Sequence, residues 1–303
     1  MSLFSRLVVG TAESPPIQRL ITRTRAGRQL AQRFVAGETL DQAAEVARRL
    51  NRSRMAVSLD LLGEEVTSPD EVEQAYKGYE ECLRRIADDD LDANISVKLT
   101  QLGLAIDQSL ATQTLDRLAA VARDLGLSIT IDMEDSRYTA ATVDLYRATQ
   151  ELRGNLGLAL QAYLYRTPAD VNSLVGLGGH LRLCKGAYVE NRDVAFTDRD
   201  DVDAAFVRLV EMLMAANQVM VAVATHDPKL IEVTRRLAHS RSGQFEFQML
   251  YGVRTTAQRE LSAAGYPLRI YLPYGSHWYP YLVRRLGERP ANLALFLRAL
   301  VGG

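Results

Sequence analysis

The sequence predicts a (β/α)8 barrel, because short apolar strands alternate with amphipathic helical segments along the chain after about residue 50. Such alternation is typical of a parallel sheet, and eight strand-helix units in a chain of 303 residues indicate one barrel rather than several domains. Within the strands, an apolar face alternates with a polar face. The apolar face suits packing against surrounding helices, so we expect the polar face to point into the barrel.

Each predicted element follows from its own pattern. The strands are short runs rich in Val, Ile, Leu and Phe, at residues 55–59, 95–99, 128–133, 158–162, 181–184, 220–225, 245–250 and 268–271. The segments between them have helical periodicity, at residues 70–88, 107–125, 140–152, 168–177, 202–216, 228–237 and 255–264. Further helices are expected within residues 11–50 and at 291–300. We expect one structural domain, in which an N-terminal helical segment (1–50) precedes a catalytic barrel (51–303).

The bulk composition excludes several classes of function. A formal net charge of -1 argues against nucleic-acid binding, which needs a basic surface. Cys82 and Cys184 are the only cysteines, so the chain has neither a disulfide framework nor a cysteine pair spaced for a metal. Residues 1–10 are too short and too weakly apolar for a signal peptide or a membrane-spanning helix. We therefore expect a cytoplasmic protein.

Polar side chains on the inward face mark the expected active site. Barrel enzymes place their active sites at the C-terminal ends of the strands, and a buried unsatisfied polar group costs about 1–3 kcal/mol. Glu246 and Arg269 lie on neighbouring strands, so we expect them to neutralise each other low in the barrel. Four further polar residues fall at or near the C-terminal strand ends, where a function explains them better than packing does: Lys98, Asp132, Gln161 and His226.

Lys98 supports two alternatives. It could be a Schiff-base nucleophile, which needs surroundings that lower its pKa. It could instead be a fixed charge for an anionic group, and Asp132 on the next strand favours this role because it keeps the ammonium protonated. A metal site is not expected, because among Asp132, Glu134 and Asp135 only the first shares the inward face.

Two loops after neighbouring strands suggest an anionic cofactor. After strand 6, Asp227 begins a helix whose amide end attracts anions. The glycine-rich LVGLGGH precedes a strand, so it is interpreted as a turn after a helix and not as a dinucleotide-binding loop. After strand 5, three consecutive residues could cradle a phosphate: Lys185, Gly186 and Ala187.

The stretch LRIYLPYGSHWYPYLVRR combines aromatic and cationic residues near the end of the barrel. We expect its strand to end where Pro273 and Gly275 break it, with aromatic residues following. A helix then carries Arg284 and Arg285 about one turn beyond Tyr281. Adjacent guanidiniums are bidentate donors suited to a small carboxylate or a phosphate. If only the Arg284-Arg285 dipeptide is considered, the alternative is that both side chains lie on a solvated helix face and bind nothing.

The chain after about residue 50 resembles the proline dehydrogenase family. The motifs that carry the resemblance occur in the expected order: KLT (98–100), IDMEDS (131–136), LQAYL (160–164), LRLCKGAY (181–188), ATHD (224–227), FEFQMLYGV (245–253) and the closing RIYLPYG with its paired arginines. Cys184 stands where the family often has valine, and Asp227 where asparagine is frequent. The WYPY segment is similar to the short bacterial monofunctional enzymes, whereas a fusion with an aldehyde dehydrogenase domain would need a far longer chain.

This resemblance implies a distorted barrel with its last helix over the mouth, and an FAD-dependent enzyme that oxidises L-proline to Δ1-pyrroline-5-carboxylate. Arg182 would lie against the flavin N5 edge and stabilise the anionic reduced ring, and Asp132 would order the polar network around Lys98. Proline would be bound by Lys98, Arg284, Arg285, Tyr271 and Tyr281, with Glu64 paired to Arg284 as a lid. FAD would be contacted by Met133, Gln161, Arg182, Lys185, Gly186, Ala187, Thr225 and His226.

The resemblance also implies partners. It implies a membrane quinone as electron acceptor, a separate pyrroline-5-carboxylate dehydrogenase downstream, and a peripheral position at the inner face of the cell membrane. Neither charge nor hydropathy shows a membrane-binding element. The weakly apolar MSLF terminus and residues 291–300 are only candidates for a contact with the membrane. Two other functions stay open at this point: a Schiff-base aldolase that uses Lys98, and a non-catalytic ligand-binding barrel.

Overall fold

The computed structural model of the chain describes residues 31–63 and 66–288, and for residues 284–288 it describes the backbone only. Eight parallel strands close into a barrel in chain order, each paired with its sequence neighbours and the first with the eighth. The predicted fold class is therefore confirmed. The strands are β1 (Ala56–Leu61), β2 (Ala93–Val97), β3 (Ile129–Ile131), β4 (Leu156–Gln161), β5 (His180–Cys184), β6 (Met220–Ala224), β7 (Phe245–Leu250) and β8 (Leu268–Tyr274).

Helices precede, separate and follow the strands. Most of them begin at a residue whose side-chain oxygen accepts a hydrogen bond from the first-turn amides, as at Thr39, Ser68 and Asp227. The turn after α5 is a short 3-10 helix that runs into Gly178, as the LVGLGGH pattern predicted. The described helices are α1 (Leu40–Arg52), α2 (Pro69–Asp88), α3 (Gln108–Asp124), α4 (Ser136–Arg153), α5 (Thr167–Leu174), α6 (Arg199–Ala215), α7 (Pro228–Ala238), α8 (Thr255–Ala263) and α9 (Trp278–Glu288).

The expected break in the last strand is wrong, because β8 continues through Pro273 to Tyr274. Beyond Tyr271 the strand pairs only with β1, where Pro273 lies opposite Asp60. A proline lacks the amide donor that a strand with two partners needs, so it is tolerated on this one-sided extension. Gly275, at φ 125°, then turns the chain towards α9.

The inside and outside of the barrel follow the alternation in the strands. Outward apolar residues such as Ile95, Leu158 and Leu181 are fully buried against the helices. Inside, Arg269 Nε donates to Glu246 Oε1 at 2.8 Å, which confirms the ion pair expected low in the barrel. The buried apolar residues of α1 join the same core, so this helix packs as part of the barrel.

The last described helix, α9, does not join that core. Its apolar residues form a separate buried cluster with Phe34, Val35 and Leu62. The indole Nε1 of Trp278 also donates to Glu38 Oε1 at 2.9 Å. These contacts hold α9 across the C-terminal end of the barrel instead of along its side, which confirms the expected distortion of the fold.

Some predicted elements lie outside the described residues, namely the helices within residues 11–30 and the helix at 291–300. Among the helices that the structure describes, none is both long enough and apolar enough to cross a membrane.

Candidate active site

A cavity of about 540 Å³ opens at the C-terminal ends of the strands. Its floor is polar and its walls include Met133, Ala159, Ala224 and Leu250. Most of the residues predicted to form the site line it: Lys98, Asp132, Met133, Arg182, Lys185, Gly186, Ala187, Thr225, His226, Tyr271 and Tyr281. Among these residues, strand alternation had placed Lys98, Asp132 and Tyr271 on the inward face, whereas Met133, Thr225 and Tyr281 came from the family resemblance.

Lys98 lies directly after β2, and two carboxylates surround its ammonium. Its Nζ is 2.8 Å from Asp60 Oδ1 and 3.6 Å from Asp132 Oδ2. Burial opposes the charged ammonium, but the two carboxylates outweigh it and hold the pKa of Lys98 above its ordinary value. A Schiff-base lysine needs the opposite shift of its pKa. The environment of Lys98 therefore disfavours the aldolase alternative.

Asp132 connects three side chains on the cavity floor. Its Oδ1 accepts from Arg182 Nη1 at 2.6 Å, and its Oδ2 accepts from the Tyr271 hydroxyl at 2.6 Å. Burial and the nearby carboxylates raise the pKa of Tyr271 well above its usual value, so the phenol keeps its proton. Asp132 thus fixes the geometry of the floor between Lys98, Arg182 and Tyr271.

Arg182 projects from β5 across the lumen and is 4% exposed. Besides Asp132, its guanidinium donates to Gln248 Oε1 at 2.5 Å, to Ser96 Oγ at 3.0 Å and to Ser58 Oγ at 3.4 Å. The side chain is therefore anchored in one orientation below the cavity. An arginine held this rigidly is a fixed cation and not a group that moves with its ligand.

Two residues of this floor were not among the predicted site residues. Asp60 is 1% exposed and provides the shortest contact to Lys98. Strand 1 was predicted to end at residue 59, although continuing its alternation from Ser58 would have placed Asp60 inside. Gln248 follows Glu246 by two positions and so falls on the inward face of its strand, but its contact with Arg182 depends on which strands neighbour each other in space.

The loop after β5 meets the helix after β6 through charge pairs. Lys185 Nζ contacts Asp203 and, at 3.1 Å, Asp227. Burial disfavours the charged form of Asp227, but Lys185 and the first-turn amide of α7 outweigh it and lower its pKa. The acidic residue at 227 therefore forms an ion pair with the predicted phosphate-binding lysine.

Gln161 and His226 form hydrogen bonds that fix the ends of strands β4 and β7 and the loops after β5 and β6. Gln161 is 2% exposed, donates to the Glu134 carbonyl at 2.9 Å and accepts from the Ala187 amide at 3.2 Å. His226 Nε2 accepts from the Leu250 amide at 2.9 Å, so its proton is assigned to Nδ1. Both side chains tie the end of one strand to the loop of its neighbour.

The remaining acids of the IDMEDS motif do not join Asp132 in a cluster. The Glu134 carboxylate accepts from the Thr100 amide at 3.0 Å and from the Thr100 hydroxyl, away from the floor. Asp135 caps α4 at Arg137 N. Within the described residues, no group of three or more His, Cys, Asp or Glu side chains is arranged to hold a metal ion.

Helix α9 forms the roof of the cavity through Tyr281, whose side chain is 6% exposed. Arg284 and Arg285 belong to α9, three and four positions beyond Tyr281. Residues at these spacings lie along the same face of a helix. Glu64, the predicted partner of Arg284, lies outside the described residues, as do the side chains of both arginines.

The residues present fit a flavin. One side of the cavity has a buried guanidinium and the polar floor, and the walls are apolar side chains between which a flat ring can lie. Lys185, Arg199 and Arg254 also line the cavity, and they could supply cations for a phosphate tail. A cavity that combines apolar walls with few convergent polar groups is typical of cofactor sites.

Comparisons with known proteins identify the family of the chain. The sequence model of the family described as proline dehydrogenase matches residues 43–296. The chain is 40% identical to proline dehydrogenase 1 of Bacillus subtilis (strain 168) over 275 residues, covering 89% of this chain and 90% of that protein. It is 36% identical to the proline dehydrogenase of Deinococcus radiodurans over 310 residues, covering 99% of each.

Larger proteins contain the same fold. The bifunctional protein PutA of Escherichia coli (strain K12) is 26% identical over 337 residues, covering 96% of this chain but 25% of that protein. The crystal structure of proline utilization A from Bdellovibrio bacteriovorus superposes with a TM-score of 0.81 at 23% identity, covering 86% of this chain and 32% of that chain. The latter likeness supports the barrel fold alone. By its family match and its near full-length relatives, the chain belongs to the proline dehydrogenase family.

Proposed function

We propose that the protein oxidises L-proline to Δ1-pyrroline-5-carboxylate, with FAD as the hydride acceptor and a quinone as the final electron acceptor. One observation carries the proposal within the family. A lysine and an arginine both contact the same half-buried carboxylate, Asp132, on the floor of a cavity roofed by the helix that carries Arg284 and Arg285. The site thus combines a cationic end for a small carboxylate with a separate fixed cation.

The substrate half lies between the floor and α9. Lys98 provides a cation that stays protonated, and we assign the other two cations for the proline carboxylate to Arg284 and Arg285. Tyr271 and Tyr281 form the aromatic wall against which the pyrrolidine ring packs. We also assign Glu64 as the partner of Arg284 that closes the site, and α9 as the helix that excludes water from the reacting carbon.

The cofactor half lies towards β4, β5 and β6. Bound FAD supplies the acceptor for the hydride from the proline ring. We assign Arg182 to the flavin N5 edge, where its charge favours the reduced ring. Asp132 holds both Arg182 and Tyr271 and so keeps the two halves in register. The remaining FAD contacts are assigned to Met133, Gln161, Lys185, Gly186, Ala187, Thr225 and His226.

The protonation states on the floor limit the path of the amine proton. Lys98 and Tyr271 both hold their protons firmly, since the pKa of each is raised. Neither group can therefore accept the proton that the proline amine must lose before hydride transfer. Their part in the reaction is binding and orientation.

The partners are proposed from the family to which the chain belongs. The chain spans nearly all of the single-function relatives but 25% of the bifunctional PutA. We propose that a separate pyrroline-5-carboxylate dehydrogenase acts on the product, and that the protein works in the cytoplasm with access to quinone at the membrane surface.

A spectroscopic titration tests the proposal. The purified protein should be yellow and show flavin absorbance, and anaerobic L-proline should bleach it, whereas D-proline serves as the matched control. Absence of flavin, or a flavin spectrum that L-proline leaves unchanged, would reject the proposal. Trapping of Lys98 by borohydride together with a carbonyl substrate would instead support the aldolase.

A further inference from the structure

Arg182 reaches Gln248 by crossing in front of an entire strand. Arg182 is on β5 and Gln248 is on β7, and β6 lies between them. At these levels β6 presents Ala222 and Ala224, which pair with Arg182 and Gln248 in the strand register. Alanine side chains leave room for a long side chain to pass over them. The contact between Arg182 Nε and Gln248 Oε1 therefore depends on three strands. Strands β5 and β7 carry the two partners, and β6 leaves the space between them.

The orientation of the Gln248 amide is set from its other side. Gln248 Nε2 donates to Glu246 Oε1 at 2.6 Å, and Arg269 Nε donates to the same oxygen at 2.8 Å. A flipped amide would direct its NH2 group at the guanidinium and its oxygen at the carboxylate, which are two repulsive contacts. Gln248 is 4% exposed and Glu246 is 5% exposed, so water offers little relief from such a flip.

The chemistry of these partners matters for the charge of Arg182. The guanidinium contacts one carboxylate, Asp132, which is shared with Lys98. Its other described partners are neutral: the Gln248 amide and the hydroxyls of Ser96 and Ser58. The carboxylate of Glu246 contacts Gln248 instead of Arg182, and it is neutralised by Arg269. An amide thus anchors Arg182 at the place where a carboxylate would cancel more of its charge.

We propose that Gln248 is a positioning residue that holds Arg182 without neutralising it, and thereby keeps the reduction potential of the bound flavin high. The Glu246–Arg269 pair sets the direction of the amide. This inference rests on the proposed function, because it presupposes that a flavin binds against Arg182.

Exchanging the side chains of Glu246 and Gln248 tests this inference without changing the net charge of the protein. The double variant Glu246→Gln, Gln248→Glu moves the carboxylate from Arg269 to Arg182 and leaves the composition of the buried network unchanged. We expect the equilibrium constant for two-electron reduction of the flavin to fall about tenfold, which corresponds to a potential about 30 mV more negative. The potential is measured anaerobically against dyes of known potential, with flavin content and thermal unfolding recorded for each variant.

Two single variants complete the test. Gln248→Glu should lower the potential in the same direction, and it replaces the double variant if that protein does not retain flavin. Gln248→Met removes the hydrogen bond without adding charge, so it should shift the potential by less than a third as much.

The outcomes separate this inference from the proposed function. An unchanged potential in flavin-loaded Gln248→Glu protein, or equal shifts in the Glu and Met variants, would overturn the role of Gln248. A wild-type protein that binds no flavin would instead reject the proposed function on which the inference rests.

Discussion

The ammonium of Lys98 lies 2.8 Å from the carboxylate of Asp60, a residue that is 1% exposed at the base of the cavity. Removing one partner of a buried ion pair leaves the other charge without compensation, and this costs about 3–5 kcal/mol in typical cases. The pair therefore makes the cationic end of the site dependent on an acid that does not itself need to contact the ligand.

Replacement of Lys98 should consequently destabilise the protein through Asp60. We expect Lys98→Met to lower the free energy of unfolding by about 3 kcal/mol, because Asp60 and Asp132 then face each other without their shared cation. Adding Asp60→Asn should restore at least half of that loss. Urea unfolding of the two single variants and the double variant measures the coupling. The exposed pair between Arg117 and Glu73 is the control, and Glu73→Gln should change stability by less than about 1 kcal/mol.

The arginine pair on α9 should control substrate affinity and not cofactor binding. We expect Arg284→Met or Arg285→Met to raise the KM for proline at least about tenfold, which is about 1.4 kcal/mol of binding free energy, while flavin content stays at the wild-type level. Steady-state kinetics and the flavin-to-protein absorbance ratio measure the two effects. Arg259→Met, on the exposed surface of α8, is the matched control and should leave both quantities unchanged. Loss of flavin with unaltered KM would contradict the assignment.

His180 should make the protein less stable in mild acid. Its surroundings, first by burial and then through Arg182 and Arg269, lower its pKa from 6.5 to about 3. Between these values the unfolded chain binds a proton that the folded chain does not, so stability falls as the pH falls from about 6.5 towards 3. One such proton contributes a slope of at most about 1.4 kcal/mol per pH unit.

Variants at this histidine can isolate that slope. His180→Asn should be less stable at pH 7 but should lose less stability between pH 6.5 and pH 4.5, as followed by urea unfolding at several pH values. Thr130→Val removes the hydroxyl that lies 2.7 Å from His180 Nε2 but keeps the ring, so it should retain the wild-type slope. Parallel slopes in His180→Asn and the wild type would show that another group causes the acid sensitivity.

Arg241 should contribute to stability without any part in catalysis. Its guanidinium caps the C-terminal end of α6 and spans several backbone carbonyls, a geometry that a lysine ammonium cannot reproduce. We expect Arg241→Lys to lower the free energy of unfolding by about 1–3 kcal/mol with unchanged KM and kcat. Arg236→Lys, at an exposed position of α7, should have little effect on either. The carbonyls that accept from Arg241 belong to Leu213, Met214, Ala216, Val219 and Gln244.

Much of the site was predictable because strand alternation is a local property. A residue two positions from an inward residue is also inward, so Asp132, Gln161 and Arg182 were placed in the lumen without knowledge of their neighbours. The same rule, extended by one residue, would have included Asp60. What the alternation cannot supply is the level of each residue in the barrel, which depends on the register between strands.

The sequence by itself determined the barrel, the ion pair between Glu246 and Arg269, and the inward position of the polar residues. Only the tertiary structure decided the partners of the other inward polar residues. Lys98 meets Asp60 and Asp132 because β1 and β3 flank β2, and Arg182 meets Gln248 because β6 presents small residues between them. A hydrogen bond depends on distances of a few tenths of an ångström, and such distances between remote residues arise only when the barrel closes.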